Sequence, residues 1–266
     1  MRRAGPADGL RLAVGTLTIV RVCPPTRVDR AVAGRAMLWA APVGLVLGAA
    51  AGLVLEGTRA ASHHSVAGVF LASALAIATL AVLTRGLHLD GLADTADALA
   101  SGRPAPAALE IMRRGDVGPV GVVTLLLVLA VQVFAVAESV GRGNGWLCLV
   151  VAGLTGRIAL TWGCTRHVPA ARFTGLGAAV AGTLRVRTPF VVTALGALLA
   201  AAISGLDDDR GISLALRSAA AVVAGVAGTL LLLQRCVARF GGVTGDVLGA
   251  LVECATTVAL LSFAVL

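Results

Sequence analysis

Seven long apolar runs leave this chain few folds to choose from. They cover residues 36–55, 66–84, 119–137, 146–165, 189–206, 214–233 and 247–266. Each approaches the ~20 residues that a helix needs to cross the ~30 Å hydrocarbon core of a bilayer. Inside lipid every backbone N–H and C=O must find its partner within the segment, so such runs fold as helices. Hydrophobic residues make up 58% of the 266, and mean hydropathy is +0.92, more than a water-soluble domain carries. The expected fold class is all-α: a polytopic integral membrane bundle of about seven transmembrane helices, forming a single domain over residues 1–266. Gly44, Gly48 and Gly52 recur every fourth residue in the first run and predict a face for close helix packing.

Charge placement orients the bundle. Every one of the 22 basic residues is arginine, and the net charge is +8. The arginines lie in short loops between apolar runs, so they read as topology signals and phosphate ligands rather than as a nucleic-acid surface. With the N-terminus in the cytoplasm, the inner segments hold 17 arginines and the outer ones only Arg59, Arg142, Arg210 and Arg217. Arg157 falls deep within a run, where it needs a partner, a wet cavity or a route to the interface. The residues 10–22 are moderately apolar and are expected to lie along the membrane surface, ended by Cys23-Pro24-Pro25. No cleavage site stands out after Arg2 and Arg3, so no removed signal peptide is expected. The five cysteines form no C-x-x-C pair, and the adjacent His63 and His64 do not share a helix face, so neither a zinc site nor a disulfide framework is indicated. Asp207, Asp208 and Asp209 read as a solvated loop.

Two acidic stretches break the apolar pattern. In RGLHLDGLADTADAL (residues 85–99), Asp90, Asp94 and Asp97 are spaced i, i+4, i+7, which puts them within roughly 60° on one helix face. Like charges on one stripe repel: at an effective dielectric near 20, a pair about 4 Å apart costs roughly 4 kcal/mol. Arg85 offsets one charge. The remaining carboxylates titrate, meet open water, or hold a divalent cation, and hard oxygen ligands suit Mg²⁺. In GGVTGDVLGALVE (residues 241–253), Asp246 and Glu253 again share a face, with Gly249 and Ala250 as an open floor between them. The topology above puts both stretches on the cytoplasmic side, so the two are expected to form one site. A short helix over 107–114 follows Pro104 and Pro106 and ends in Arg113 and Arg114.

Together, RGLHLDGLADTADAL, LEIMRRGDVGPVGV and GGVTGDVLGALVE resemble the cobalamin synthase family, the adenosylcobinamide-GDP ribazoletransferases. The resemblance runs through nearly the whole chain, and HLDGLADTADAL is its most specific part. It implies an integral enzyme of the inner (cytoplasmic) membrane that uses Mg²⁺. Such an enzyme joins adenosylcobinamide-GDP to α-ribazole, or to α-ribazole 5′-phosphate, with loss of GMP. In the middle motif many members read M-[KR]-D-S-[RH]-[IV]-G. Here it is MRRGDVG, with Arg114 at the acidic position and Asp116 at the basic one, so the resemblance assigns neither a role.

Transfer of a phosphate group needs positioning, metal charge and cations around the phosphates more than covalent help. On that logic Asp90, Asp94 and Asp97 are the expected metal ligands. Arg85, Arg113, Arg114 and Arg157 are the candidate phosphate ligands. His88, Asp246 and Glu253 are the candidate catalytic acids and bases. No Walker-type glycine loop or dinucleotide fingerprint is present, so recognition of the guanine nucleotide is not legible. The competing reading is a cation- or proton-coupled transporter with Asp246, Glu253 and Arg157 on an ion path. The acids gather at one side of the membrane rather than along a path, and no internal repeat is evident. A homo-oligomer stays open.

Overall fold

The structure is a computed structural model describing residues 5, 7–63, 65–205 and 211–266. His64 and the acidic loop Asp207–Asp209 with Arg210 lie outside the described residues, as do Arg2 and Arg3. Eleven helices and no strand occur among the described residues. They are α1 (Asp8–Leu17), α2 (Arg30–Ala61), α3 (Val66–Leu83), α4 (Leu87–Ala100), α5 (Ala105–Arg114), α6 (Pro119–Gly141), α7 (Gly145–Gly163), α8 (Leu176–Val180), α9 (Arg187–Ser204), α10 (Gly211–Phe240) and α11 (Gly245–Val265). Seven of them, α2, α3, α6, α7, α9, α10 and α11, are long and apolar enough to cross a membrane. The chain is a multi-pass membrane protein, as its hydropathy predicts.

Two spans are ten or more residues longer than their apolar runs. The expected spans at 36–55 and 214–233 are helices of 32 and 30 residues. Each continues into polar turns, because helical hydrogen bonding does not stop where hydrophobicity does. Caps set several ends: the Asp29 side chain accepts from Val32 N (2.9 Å), Ser65 from Gly68 N (3.1 Å) and Thr244 from Val247 N (3.1 Å). The surface helix expected over 10–22 stops at Leu17, where extended Thr18 turns its hydroxyl onto Val14 O, well before the prolines. α5 begins two residues before the expected start, and α8 has no sequence-based expectation.

α7 is the pillar of the bundle. Its hydropathy, 1.4, is the lowest of the seven spans, yet it is the most deeply buried of them. A helix surrounded by protein rather than lipid needs less hydrophobicity. The glycine stripe of α2 packs on it: a Cβ on Gly153 of α7 would lie 2.9 Å from Gly48 Cα, and one on Gly48 2.9 Å from Val150 Cα. No L-side chain fits there, so the two backbones touch, as the four-residue spacing predicts.

α11 packs on α7, α10 and α4, and α4 also meets α5 and α6. The corner from α3 into α4 is made by Arg85 and Gly86, both left-handed (φ 56° and 68°). Arg85 is held in that conformation by its guanidinium, which donates to Gly15 O (3.2 Å) and Thr16 O (3.1 Å) at the end of α1.

Candidate active site

The two acidic stretches meet. α4 and the first turns of α11 cross at glycines. A Cβ on Gly91 would lie 2.6 Å from Asp246 O, and one on Gly249 3.2 Å from His88 Cα and O. This contact brings Asp90, Asp94 and Asp246 together although about 150 residues separate the two stretches. Asp90 and Asp246 line a cavity of about 270 Å³, with Leu87, Thr244 and Gly245. Asp246 lies in the first turn of α11, where unpaired helix N–H groups favour an anion. It also accepts from the Thr244 hydroxyl at 3.1 Å.

Asp94 is buried and does not itself line the cavity. Burial, first, and then the Asp90, Asp246 and Asp97 carboxylates push its carboxyl up to about 6, against the opposing pull of Arg172. The repulsion expected from the stripe is therefore present, and its heaviest load falls on the middle residue.

Asp97 has a task that the stripe does not show. Its two oxygens accept from Gly118 N (2.7 Å) and Gly121 N (2.9 Å), so it caps the start of α6 from another helix. A Cβ on Gly118 would lie 2.8 Å from the Asp97 Cγ, so the glycine is what admits the carboxylate.

The far wall of the cavity comes from a segment absent from the sequence-based site: Arg172, Thr174, Gly175, Leu176 and Ala178. Two short parallel bridges hold this segment, Thr165 with Leu184 and Ala170 with Val243. Val243 N donates to Pro169 O at 2.9 Å, and Ala171 N to Val243 O at 3.0 Å. They stitch it to the turn just ahead of Asp246. Arg172 Nη1 lies 3.8 Å from Asp246 Oδ2, and its Nη2 donates to Leu109 O. Its signal in the sequence was an arginine and a glycine pair in a loop, which topology alone accounts for.

The other expected site residues are elsewhere. Arg85 is engaged with α1, as described. Arg113 pairs with Glu110 one turn back on α5 (3.1 Å), and Arg114 is exposed; neither lines the cavity. Arg157 and Glu253 line a different and much smaller void of about 10 Å³ with Gln132 and Thr256, and His88 lies within electrostatic reach of Arg157. Glu253 accepts from Gln132 Nε2 at 2.9 Å. His88 Nε2, Arg157 Nε and Thr256 Oγ1 are buried without a hydrogen-bond partner. Burial and the neighbouring Arg157 charge hold His88 well below the usual imidazole range, so it is neutral. Arg157 is 2% exposed, so it does not snorkel to an interface.

Residues 9–264 match the family described as cobalamin-5-phosphate synthase. The chain belongs to that family. Curated relatives named adenosylcobinamide-GDP ribazoletransferase include one from Frankia casuarinae, 41% identical over 96% of this chain and 93% of its own. Another, from a Nocardioides species, is 42% identical over 97% and 98%. One from Citrobacter koseri is 36% identical over 83% of each. No solved structure matches. The family match takes in both acidic helices and the bridged segment that closes the cavity, so all three walls belong to the family region.

Proposed function

We propose that this chain transfers the cobinamide phosphate of adenosylcobinamide-GDP to α-ribazole, or to its 5′-phosphate, and releases GMP. The observation that carries the reading is the joint cavity. Two acidic helices and one arginine-bearing segment converge on a space whose charges suit a metal-bound pyrophosphate. Near full-length similarity to the named relatives supports the same reaction.

Mg²⁺ fits this donor set. Among the described residues no three His, Cys, Asp or Glu side chains stand close enough to hold a metal by themselves. Mg²⁺ at a phosphate site asks for one or two carboxylates, its other ligands being water and phosphate oxygens. Asp90 and Asp94 would hold it, and their crowding is what a divalent charge relieves. When bound, it supplies positive charge to the pyrophosphate oxygens. Asp97 is left to its capping task.

In the reaction a ribazole hydroxyl, the ribose 3′-hydroxyl by family resemblance, bonds to the phosphorus that carries cobinamide. The pyrophosphate P–O bond to GMP breaks, and GMP leaves with the electron pair. Asp246 takes the hydroxyl proton: it lines the cavity, and Thr244 and Arg172 fix its carboxylate. His88 does not fill this role, being buried and outside the cavity lining. Arg157 and Glu253 lie apart from that cavity as well, around their own small void.

The arginine distribution supports a cytoplasmic N-terminus and a site on the cytoplasmic side of the inner membrane, in a single membrane domain. The test is purified protein in lipid nanodiscs with adenosylcobinamide-GDP, α-ribazole and Mg²⁺. Equimolar GMP and cobalamin are expected, and excess chelator should stop both. Absence of GMP from folded protein would overturn the assignment; full turnover in chelator would overturn the metal.

A further inference from the structure

The nucleotide end of the substrate has no sequence fingerprint here, but the structure offers a place for it. The chain has six Phe, three Trp and no Tyr. Eight of these nine aromatic residues lie on the seven candidate spans, where the ring pairs Phe70–Phe134 and Trp162–Phe190 form. The ninth, Phe173, sits in the bridged segment beside the cavity, and its side chain is fully exposed.

A single exposed apolar residue is ordinary by itself. The position of this one is not. Its neighbours on both sides, Arg172 and Thr174, line the cavity. The Ala170–Val243 bridge fixes the backbone just ahead of it. Arg172 is turned onto Asp246 and Leu109 O, while Phe173, the next residue, is outside the cavity lining and fully exposed. A guanidinium facing the cavity and a bare ring one residue along match the two ends of a nucleotide. Arginine pairs with phosphate oxygens through its planar fork, and a phenyl ring offers a face for a base.

We propose that Arg172 and Phe173 form a nucleotide clamp, with Arg172 on the pyrophosphate and Phe173 stacked on the guanine base of the leaving GMP. This rests on the transferase reading above. The base is guanine rather than the benzimidazole of ribazole because the arginine beside the ring selects a base attached to the pyrophosphate.

The test uses full-length protein in nanodiscs. Phe173→Trp places an indole at that position, and GDP should quench its fluorescence saturably, with no such change in wild type. Arg172→Gln in that background should weaken GDP about tenfold, and Arg172→Lys less, because it keeps the charge and loses the fork. In turnover, Phe173→Ala should raise KM for adenosylcobinamide-GDP about tenfold and leave the KM for α-ribazole within twofold. Phe173→Trp should restore it. The clamp is overturned if GDP quenches nothing, or if Phe173→Ala leaves the nucleotide KM within twofold. It is equally overturned if α-ribazole alone is affected, or if both KM values rise together as for general damage or a membrane-anchoring ring. A wild-type protein that releases no GMP would refute the transferase reading instead, and the GDP quench then decides the clamp by itself.

Discussion

Gly91 and Asp246 are in backbone contact: a methyl group on the glycine would sit 2.6 Å from the aspartate carbonyl oxygen and 3.0 Å from its Cα. The separation of the α4 and α11 carboxylates is therefore set by main chain against main chain, with no side chain between them to adjust.

Gly91→Ala should force the helices apart. Overpacking of this kind costs about 1–3 kcal/mol, and displacement of about 1 Å at a reacting group costs on the order of 10²-fold in rate. Transfer should fall at least that far while the protein still folds. Gly249→Ala should be milder, because its nearest atoms are at 3.2 Å. GMP release and thermal melting in detergent measure both; equal, wild-type behaviour of Gly91→Ala would refute the contact.

Asp94 gives the pH dependence a definite sign. Its folded value, about 6, lies above the ordinary 3.8, so folding favours the protonated form. The penalty is absent below pH 3.8 and fully present above about 6. By linkage it reaches at most about 3 kcal/mol. In chelator, wild type should lose stability relative to Asp94→Asn as pH rises through this window. Melting curves of the two proteins at pH 4 to 7 give the difference; parallel curves would contradict the burial. Asp94→Asn should also abolish transfer.

Asp97 and Asp90 separate capping from metal binding. Asp97→Ala removes two charge-assisted bonds to the start of α6. It should destabilise by about 1.5–3 kcal/mol, leaving the Mg²⁺ midpoint of the residual activity unchanged. Asp90→Asn should do the reverse, raising the Mg²⁺ requirement at least tenfold with little change in melting. A shifted midpoint in Asp97→Ala would return that residue to the metal.

The interior charges should behave as a unit. Arg157→Met removes the positive charge near Glu253, which keeps its Gln132 hydrogen bond, and should destabilise the protein. Adding Glu253→Met should recover part of that loss. Denaturant titrations of the two single variants and the double variant complete the cycle; additive losses would show that the two charges do not interact.

Reporter fusions after Arg59 and Arg142 should read as external, and those after Pro104 and Arg172 as cytoplasmic. A cytoplasmic signal at Arg59 would refute the proposed orientation.

What the sequence disclosed follows from the range of each signal. Hydropathy acts within one segment, so all seven spans were legible, and the i, i+4, i+7 acids marked α4 as a helix. Facing partners were legible only where topology brought two motifs to one side of the membrane, as with α4 and α11. Asp246 and Glu253 share a helical face, yet two turns of helix put them roughly 10 Å apart, and they open onto different cavities. The capping of Gly118 and Gly121 by Asp97 is a contact between helices, which charge spacing along one helix does not encode. Arg172 was hidden for the same reason: the Ala170–Val243 bridge carries it to Asp246, and it joins segments about 70 residues apart.

The glycine crossing also has a consequence in time. α4 is synthesised about 150 residues before α11. At ~5–20 residues per second, roughly 8–30 s pass between the two. For that interval the ribosome-bound chain has its α4 aspartates crowded and Gly91 facing no partner. A nascent chain stalled before Gly245 lacks Asp246 and should not turn over substrate, however well its earlier helices are inserted.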